Sequence, residues 1–345
     1  MDSASGSGAD EGADRTPLDD PELRLSAVSE EQLLALILPL MRPPEGVTHP
    51  HVLLGPGDDA AVVAAADGRF VATTDAMVRG HDWRDDWSTG ADVGRKLVAQ
   101  NLGDVAAMGA VPAGLLVTLL ADPETTVAWV LDLARGIGAA AGAAGCAVLG
   151  GDLGGAPREV VMLSVTAFGD LQGRAPVRRS GARVGDVIAV AGSLGRSAAG
   201  FELLSAGRGD EDDAVVAGLV AAHRALVAPY AAGPAAAEAG ASALIDISDG
   251  LIRDAGRVAA ASGVCLALDP AALAPDVAAI EPALGPADAL TAVLTGGEEH
   301  SLLGTFPGGV RLPAGFRVIG RVEAGAGVTV GGEPRSGGGW DHFAG

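Results

Sequence analysis

Apolar and polar positions along this chain follow two different periods, and the switches between them lay out an α/β protein. After an opening stretch without periodicity, Leu33, Leu34, Ile37 and Leu40 fall at helical spacing behind Ser29, which suits an N-cap, with Glu30 and Glu31 in the first turn; Pro43-Pro44 ends the run. β-prone runs follow at about 52–54, 60–65 and 69–74, joined by Gly and Asp turns. The pattern then predicts a helix over 88–108 capped by Ser88 or Thr89, a strand over 113–120, a helix over 123–144, and strands over 146–149 and 159–168. From Gly173 to Asp186 the chain turns polar and Arg-rich, which marks a domain boundary. Beyond it, strands are expected at 187–191, 243–247, 264–268, 301–305, 317–322 and 327–330. Helices are expected at 195–205, 214–226, 234–239, 251–261 and 288–294, with a loop near 282–286. Two α+β halves result, 29–172 and 173–345, behind a leader, 1–28, too rich in Gly, Ala, Ser and acidic residues to order itself.

The apolar runs share an ending. Phe70-Val71-Ala72-Thr73-Thr74-Asp75 stops in two hydroxyls and a carboxylate, Val52 to Asp59 stops in paired Asp, Ala147 to Asp152 in Gly-Gly-Asp, and Ala243 to Gly250 in Asp246-Ile247-Ser248-Asp249. Asp104 closes the helix-like run from Val98 to Gly103. Carboxylates gathered from such ends would form a nest of hard oxygen donors, the set Mg²⁺ prefers when it also holds phosphates. For any single Asp a turn or helix cap is the commoner role, and Asp59, Asp249 and Asp254 are the most exposed to that reading.

Composition narrows the chemistry. With 345 residues and 48% hydrophobic content the chain can bury a large core. Its apolar runs fall short of the ~20 residues of a membrane span, no basic segment precedes an apolar one at the start, and a cytoplasmic protein is expected. Cys146 and Cys265, far apart in apolar runs, read as reduced core residues. A net charge of −21 argues against nucleic acid, whose binding depends on Lys and Arg, but not against a nucleotide bridged to carboxylates by divalent cations. Lys96 is the sole lysine, with no phosphate-loop glycines before it, so any phosphoryl transfer must rely on metals and arginine.

Several motifs occur in one order: Gly57-Asp58-Asp59-Ala60-Ala61, Thr73-Thr74-Asp75, Asn101 to Ala110, Gly150-Gly151-Asp152, Arg179-Ser180-Gly181, Asp246 to Leu251, Gly296-Gly297-Glu298 and Gly339-Trp340-Asp341-His342-Phe343. In that order the chain resembles the thiamine-monophosphate kinases over nearly all of its length after residue 28. The resemblance implies a two-domain PurM-like α/β architecture, shared with aminoimidazole ribonucleotide synthetase and dimeric through the N-terminal domains. It implies transfer of the ATP γ-phosphoryl group to thiamine monophosphate with several Mg²⁺ ions. Carried over by position, Asp58, Thr73, Thr74, Asp75, Asp104, Asp152, Asp246 and Asp249 form the metal set, with Asp75, Asp104 and Asp246 at its catalytic centre. Gly151, Asp152, Arg179 and Ser248 fall at ATP contacts, and Glu298 and Trp340 at substrate contacts. Two departures lie on the substrate side. Asp82 stands where the family has a substrate-contacting His, with His81 one place early, and Glu299-His300 replaces the family's Asp-Tyr. A superfamily relative using another acceptor, or a nucleotide binder without turnover, are the rival readings.

Overall fold

The computed structural model describes residues 20–43, 46–56 and 60–339. The first helix, α1 (Glu30–Leu40), opens on a reciprocal capping box in which the Ser29 hydroxyl accepts the Gln32 N–H and the Gln32 side chain accepts the Ser29 N–H. Two short strands, β1 (Val52–Leu54) and β2 (Val62–Val63), pair antiparallel. The first main layer comprises β3 (Val71–Val78), α2 (Gly90–Ala107), β4 (Val111–Ala121), α3 (Val127–Ala143), β5 (Ala147–Gly155) and β6 (Val161–Asp170). Its sheet runs β3-β6-β4-β5; β4 and β5 are parallel and joined through α3, and the other pairs are antiparallel. Period-two burial puts Val161, Leu163, Val165 and Ala167 against the helices, while alternate residues face the other side.

The second layer holds β7 (Val187–Ala191), α4 (Arg196–Ser205), α5 (Ala214–Arg224), α6 (Ala232–Glu238), β8 (Ala243–Ile247) and α7 (Leu251–Ser262). It continues with β9 (Cys265–Leu268), α8 (Pro270–Leu284), α9 (Pro286–Thr295), β10 (Ser301–Phe306), β11 (Phe316–Glu323), β12 (Gly327–Val330) and β13 (Glu333–Arg335). The order β13-β12-β9-β11-β7-β10-β8 makes a seven-stranded sheet, antiparallel except for β9 and β12. Each sheet has its own apolar core, and a third, smaller cluster joins them: Ala106 and Ala107 of α2 pack with Ala189, Leu244, Leu302 and Phe306. The helix α2 therefore belongs to the first layer and abuts the second.

Its seat against α3 is set by missing side chains. A Cβ on Gly94 would stand 2.4 Å from the Leu133 carbonyl oxygen, and one on Gly136 would stand 2.2 Å from that of Ala91. The helices thus meet backbone to backbone, which only Gly permits. Gly136→Val is expected to cost at least about 4 kcal/mol, a severe overpacking effect, visible as a lowered denaturant midpoint.

The structure differs from the sequence reading in four places. The β3 and β5 strands continue past Asp75 and Asp152, so these two carboxylates lie inside strands rather than at their ends, whereas Asp104 lies inside α2 as the helix expected over 88–108 requires. Residues 20–28 of the expected leader are ordered: Leu25 and Ser26 N–H groups donate to Thr125 and Pro123, and Leu23, Leu25 and Val28 rest on the core. Residues 270–284 form a helix that Pro275 and Pro282 disguised; Asp269 caps it, Pro270 sits in the first turn where no N–H is needed, and Leu273 and Ile280 are buried. The short edge strand β13 had no apolar alternation to announce it.

Candidate active site

Among the polar side chains of α2, Lys96 and Asn101 are buried and Asp104 is half-buried. Asn101 is fully buried; its Nδ2 donates to the Leu97 carbonyl at 2.9 Å and its Oδ1 accepts the Asp75 N–H at 3.1 Å, fastening β3 to the helix. Thr73, two residues before Asp75 and on the same strand face, donates its hydroxyl to Asp104 Oδ2 at 2.8 Å. Asp246 arrives from β8, in the second layer, and its Oδ2 lies 3.3 Å from His300 Nδ1. Burial, then the charge of Asp246 and that of Asp75, push the Asp104 carboxyl up to about 6, with the Thr73 hydroxyl opposing. Three predicted metal ligands from two layers thus share one electrostatic neighbourhood. Against burial, the Asp246 carboxylate holds the His300 imidazole above its ordinary value.

The turn after β8 is built by a residue that sequence reasoning offered only as a cap. Asp254 is fully buried in the first turns of α7, and its Oδ2 accepts the N–H groups of Ser248, Asp249 and Gly250 at 3.0 to 3.1 Å. Burial pushes its carboxyl up to about 6. Arg257 spans the Asp254 and Asp249 carboxylates, so Asp249 is engaged by a guanidinium.

The loop between α9 and β10 is strained: Glu298 and His300 take φ of +58° and +46°. Such backbone costs on the order of 1–3 kcal/mol per residue and concentrates at working sites. It aims alternate side chains in different directions. Glu299 turns away, accepting from the Ser197 N–H at 2.6 Å and the Ser193 hydroxyl at 2.8 Å. Glu298 meets Lys96 Nζ at 2.8 Å and His223 Nδ1 at 3.5 Å. Burial raises Glu298, but the Lys96 charge prevails and holds it below the ordinary carboxylate range.

Other predicted residues stand elsewhere. The Thr74 hydroxyl donates to the Val165 carbonyl on the strand face opposite Thr73. Gly151 and Asp152 are exposed on β5; a Cβ on Gly151 would lie 1.8 Å from the Val117 carbonyl oxygen, so strand spacing alone requires glycine there. Arg179 is exposed in a short 3-10 turn whose carbonyl accepts from the Ser262 hydroxyl, at the far end of α7 from Asp249. The Asp82 carboxylate folds back onto the Val78 N–H at 2.6 Å, leaving its carbonyl to accept from Lys96 at 3.3 Å. Asp58 and Trp340 lie outside the described residues. Lys96, Asn101, His223 and His300 were not assigned roles from sequence; for Lys96 the available signal was a lone lysine in an apolar helix.

Comparisons with known proteins place this arrangement. Residues 57–171 match the family described as AIR synthase related protein, N-terminal domain. The chain is 32% identical to the thiamine-monophosphate kinase from Stenotrophomonas maltophilia K279a, whose crystal structure superposes with a TM-score of 0.76 over 88% of this chain and 96% of that one. It superposes on AaThiL complexed with AMPPCP and TMP with a TM-score of 0.74 at 30% identity, over 93% and 99% of the two chains. Fold and site thus define a PurM-like α/β protein of the AIR synthase related class. Within it, Mycobacterium tuberculosis thiamine-monophosphate kinase is 50% identical over 297 residues, 85% of this chain and 86% of that protein. The chain belongs to the thiamine-monophosphate kinase family.

Proposed function

We propose that this protein is an ATP-dependent kinase that phosphorylates thiamine monophosphate to thiamine diphosphate with the help of Mg²⁺. The observation that carries the reading is Asp104, half-buried beside Asp75 and Asp246 and raised by both. Like charges that repel one another in this way are what a divalent cation stabilises, and His300 offsets only part of the repulsion on Asp104. Among the described residues no three acidic, His or Cys side chains can hold an ion by themselves. Mg²⁺ keeps waters and phosphate oxygens in its shell and takes one or two carboxylates from the protein, so the proposed set would be shared among several ions. Asp75, Asp104 and Asp246 would hold it, with Asp58, Thr73, Thr74, Asp152 and Asp249 as the further members carried by family position. When bound, it neutralises developing charge on the transferred phosphoryl group.

The chain's own residues align the reactants. An anionic phosphate oxygen of thiamine monophosphate attacks the γ-phosphorus in line; the new P–O bond forms as the β–γ bridging bond breaks, and its electron pair leaves on ADP. No proton need be removed from the nucleophile, so no general base is sought. Gly151, Asp152, Arg179 and Ser248 are the proposed ATP contacts, and Glu298, Trp340 and Asp82 the acceptor contacts, the last through its turn rather than its carboxylate. Incubating the protein with ATP, Mg²⁺ and thiamine monophosphate is expected to yield thiamine diphosphate and ADP in equal amounts, and EDTA to stop the reaction. Failure to form thiamine diphosphate overturns the reading.

The site operates in a homodimer, each sheet with its helices being one domain. The open face of the first sheet supports this: Phe70 just before β3, Val78 at its end and Leu116 on β4 are 62%, 39% and 37% exposed, more apolar surface than a sheet face left to solvent needs. Sedimentation is expected to give twice the chain mass, and Leu116→Arg to give the monomer. No helix among the described residues is long and apolar enough to cross a membrane, and a cytoplasmic site of action is proposed.

A further inference from the structure

We infer that Lys96 is a positioning residue for the acceptor half of the site, holding Glu298 and the Asp82 turn in place across the boundary between the two layers. Its side chain is 5% exposed, and the ammonium meets three oxygens: Glu298 Oε1 at 2.8 Å, Glu298 Oε2 at 2.9 Å and the Asp82 carbonyl at 3.3 Å. An ammonium has three protons to donate, so its capacity is matched by these partners. The partners come from two segments, the turn after β3 and the strained loop before β10, and Lys96 joins both to α2 at one point.

The arrangement suits recognition rather than burial of an ion pair for its own sake. Glu298 is 40% exposed while its lysine is covered, so the carboxylate is anchored on one side and open to solvent on the other. His223, also beside Glu298, does not supply the counter-charge. Burial, then the Lys96 charge, holds its imidazole down at about 4, so it is neutral at pH 7 and serves as a wall. Glu298 and Lys96 balance in charge and His223 is neutral, so the cluster presents the acceptor with one carboxylate edge held in a fixed orientation, a defined acceptor of hydrogen bonds with the negative end of the ion pair outward. Lys96 lies eight positions before Asp104 on α2, about 12 Å along the axis at 1.5 Å per residue, which separates acceptor recognition from the phosphoryl-transfer centre.

The inference rests on the proposed kinase reading, and its test separates the two. Steady-state kinetics of the wild-type chain, Lys96→Met, Lys96→Arg, Glu298→Gln and the double variant Lys96→Met/Glu298→Gln are compared, with thermal melts confirming each fold. Lys96→Met is expected to raise KM for thiamine monophosphate roughly tenfold or more while KM for ATP stays within about twofold. Lys96→Arg, which keeps the charge, should recover part of the loss. The double variant should be no worse than Glu298→Gln alone, because the lysine acts through that carboxylate. Equal changes in both KM values, a fall in kcat alone, or additive losses in the double variant overturn the positioning role. Should Lys96→Met not fold, Lys96→Arg and Glu298→Gln carry the comparison: a shift confined to the acceptor's KM in both supports the inference, and any other pattern overturns it. No turnover by the wild-type chain overturns the kinase reading itself, and the inference with it.

Discussion

Asp104→Asn is expected to lower kcat roughly a thousandfold, the scale on which preorganised charge at a transfer centre acts, and at the same time to raise the melting temperature of the ligand-free protein. The two effects have one cause. Burial and the charges of Asp246 and Asp75 move the Asp104 carboxyl from its ordinary 3.8 up to about 6, so ionising it in the folded protein costs free energy. Below pH 3.8 the carboxyl is protonated in both folded and unfolded chains and the penalty vanishes. It builds as the pH rises, because the unfolded chain gives up its proton first, and is complete above about pH 6. A displacement of this size corresponds to at most on the order of 3 kcal/mol, and part of it passes to Asp246 when Asp104 is neutralised. A gain of a few degrees at pH 7.5 that disappears near pH 4 is the expected calorimetric result. A variant that melts lower, or gains equally at both pH values, would show that the carboxylates do not oppose one another. Mg²⁺ should stabilise the wild type more than the variant, since the cation relieves the same repulsion.

Asp254→Ala is the second large effect, in the opposite direction. It removes a fully buried carboxylate that accepts from three backbone N–H groups of a half-buried turn, and strips Arg257 of a partner. Buried donors left without acceptors cost about 1–3 kcal/mol each when water does not reach them, and a net loss of about 3–5 kcal/mol is expected after relaxation. At roughly 2–4 °C per kcal/mol for a domain of this size, melting falls by about 10 °C. Turnover should fall with it, because Ser248 and Asp249 are held by the same oxygen. Asp254→Asn gives the control: its carbonyl oxygen still accepts from the turn, so it should lose much less stability. Equal losses in the two variants would place the effect on charge rather than on the three donors.

The fold was legible wherever periodicity was local. The β8 strand fell at its expected bounds because five consecutive buried residues followed by Ser248-Asp249-Gly250 leave little choice. The α8 helix was hidden because Pro at its start and Pro within it carry the same letter and opposite meanings, and only the partner surface distinguishes them. In the site, Asp75, Asp104 and Asp246 were readable as carboxylates among apolar neighbours, and the elements holding Asp104 and Asp246 were too, but the position of Asp75 inside its strand was not. A polar side chain in a strand interior becomes tolerable only when another layer, here α2 with Asn101, meets it. Lys96 and Asp254 were harder still. Each acts on backbone or side-chain groups that folding brings to it, over 202 positions for Lys96 and Glu298, and no spacing in the sequence encodes that meeting.

The covered lysine has a practical corollary. Because Lys96 is the chain's sole ε-amine, a reagent that acylates lysine side chains finds no target on the closed protein and one when the layers part. The mass of a single peptide, followed against time, would then report how often the cleft opens and whether nucleotide or acceptor keeps it shut, without any label having been introduced.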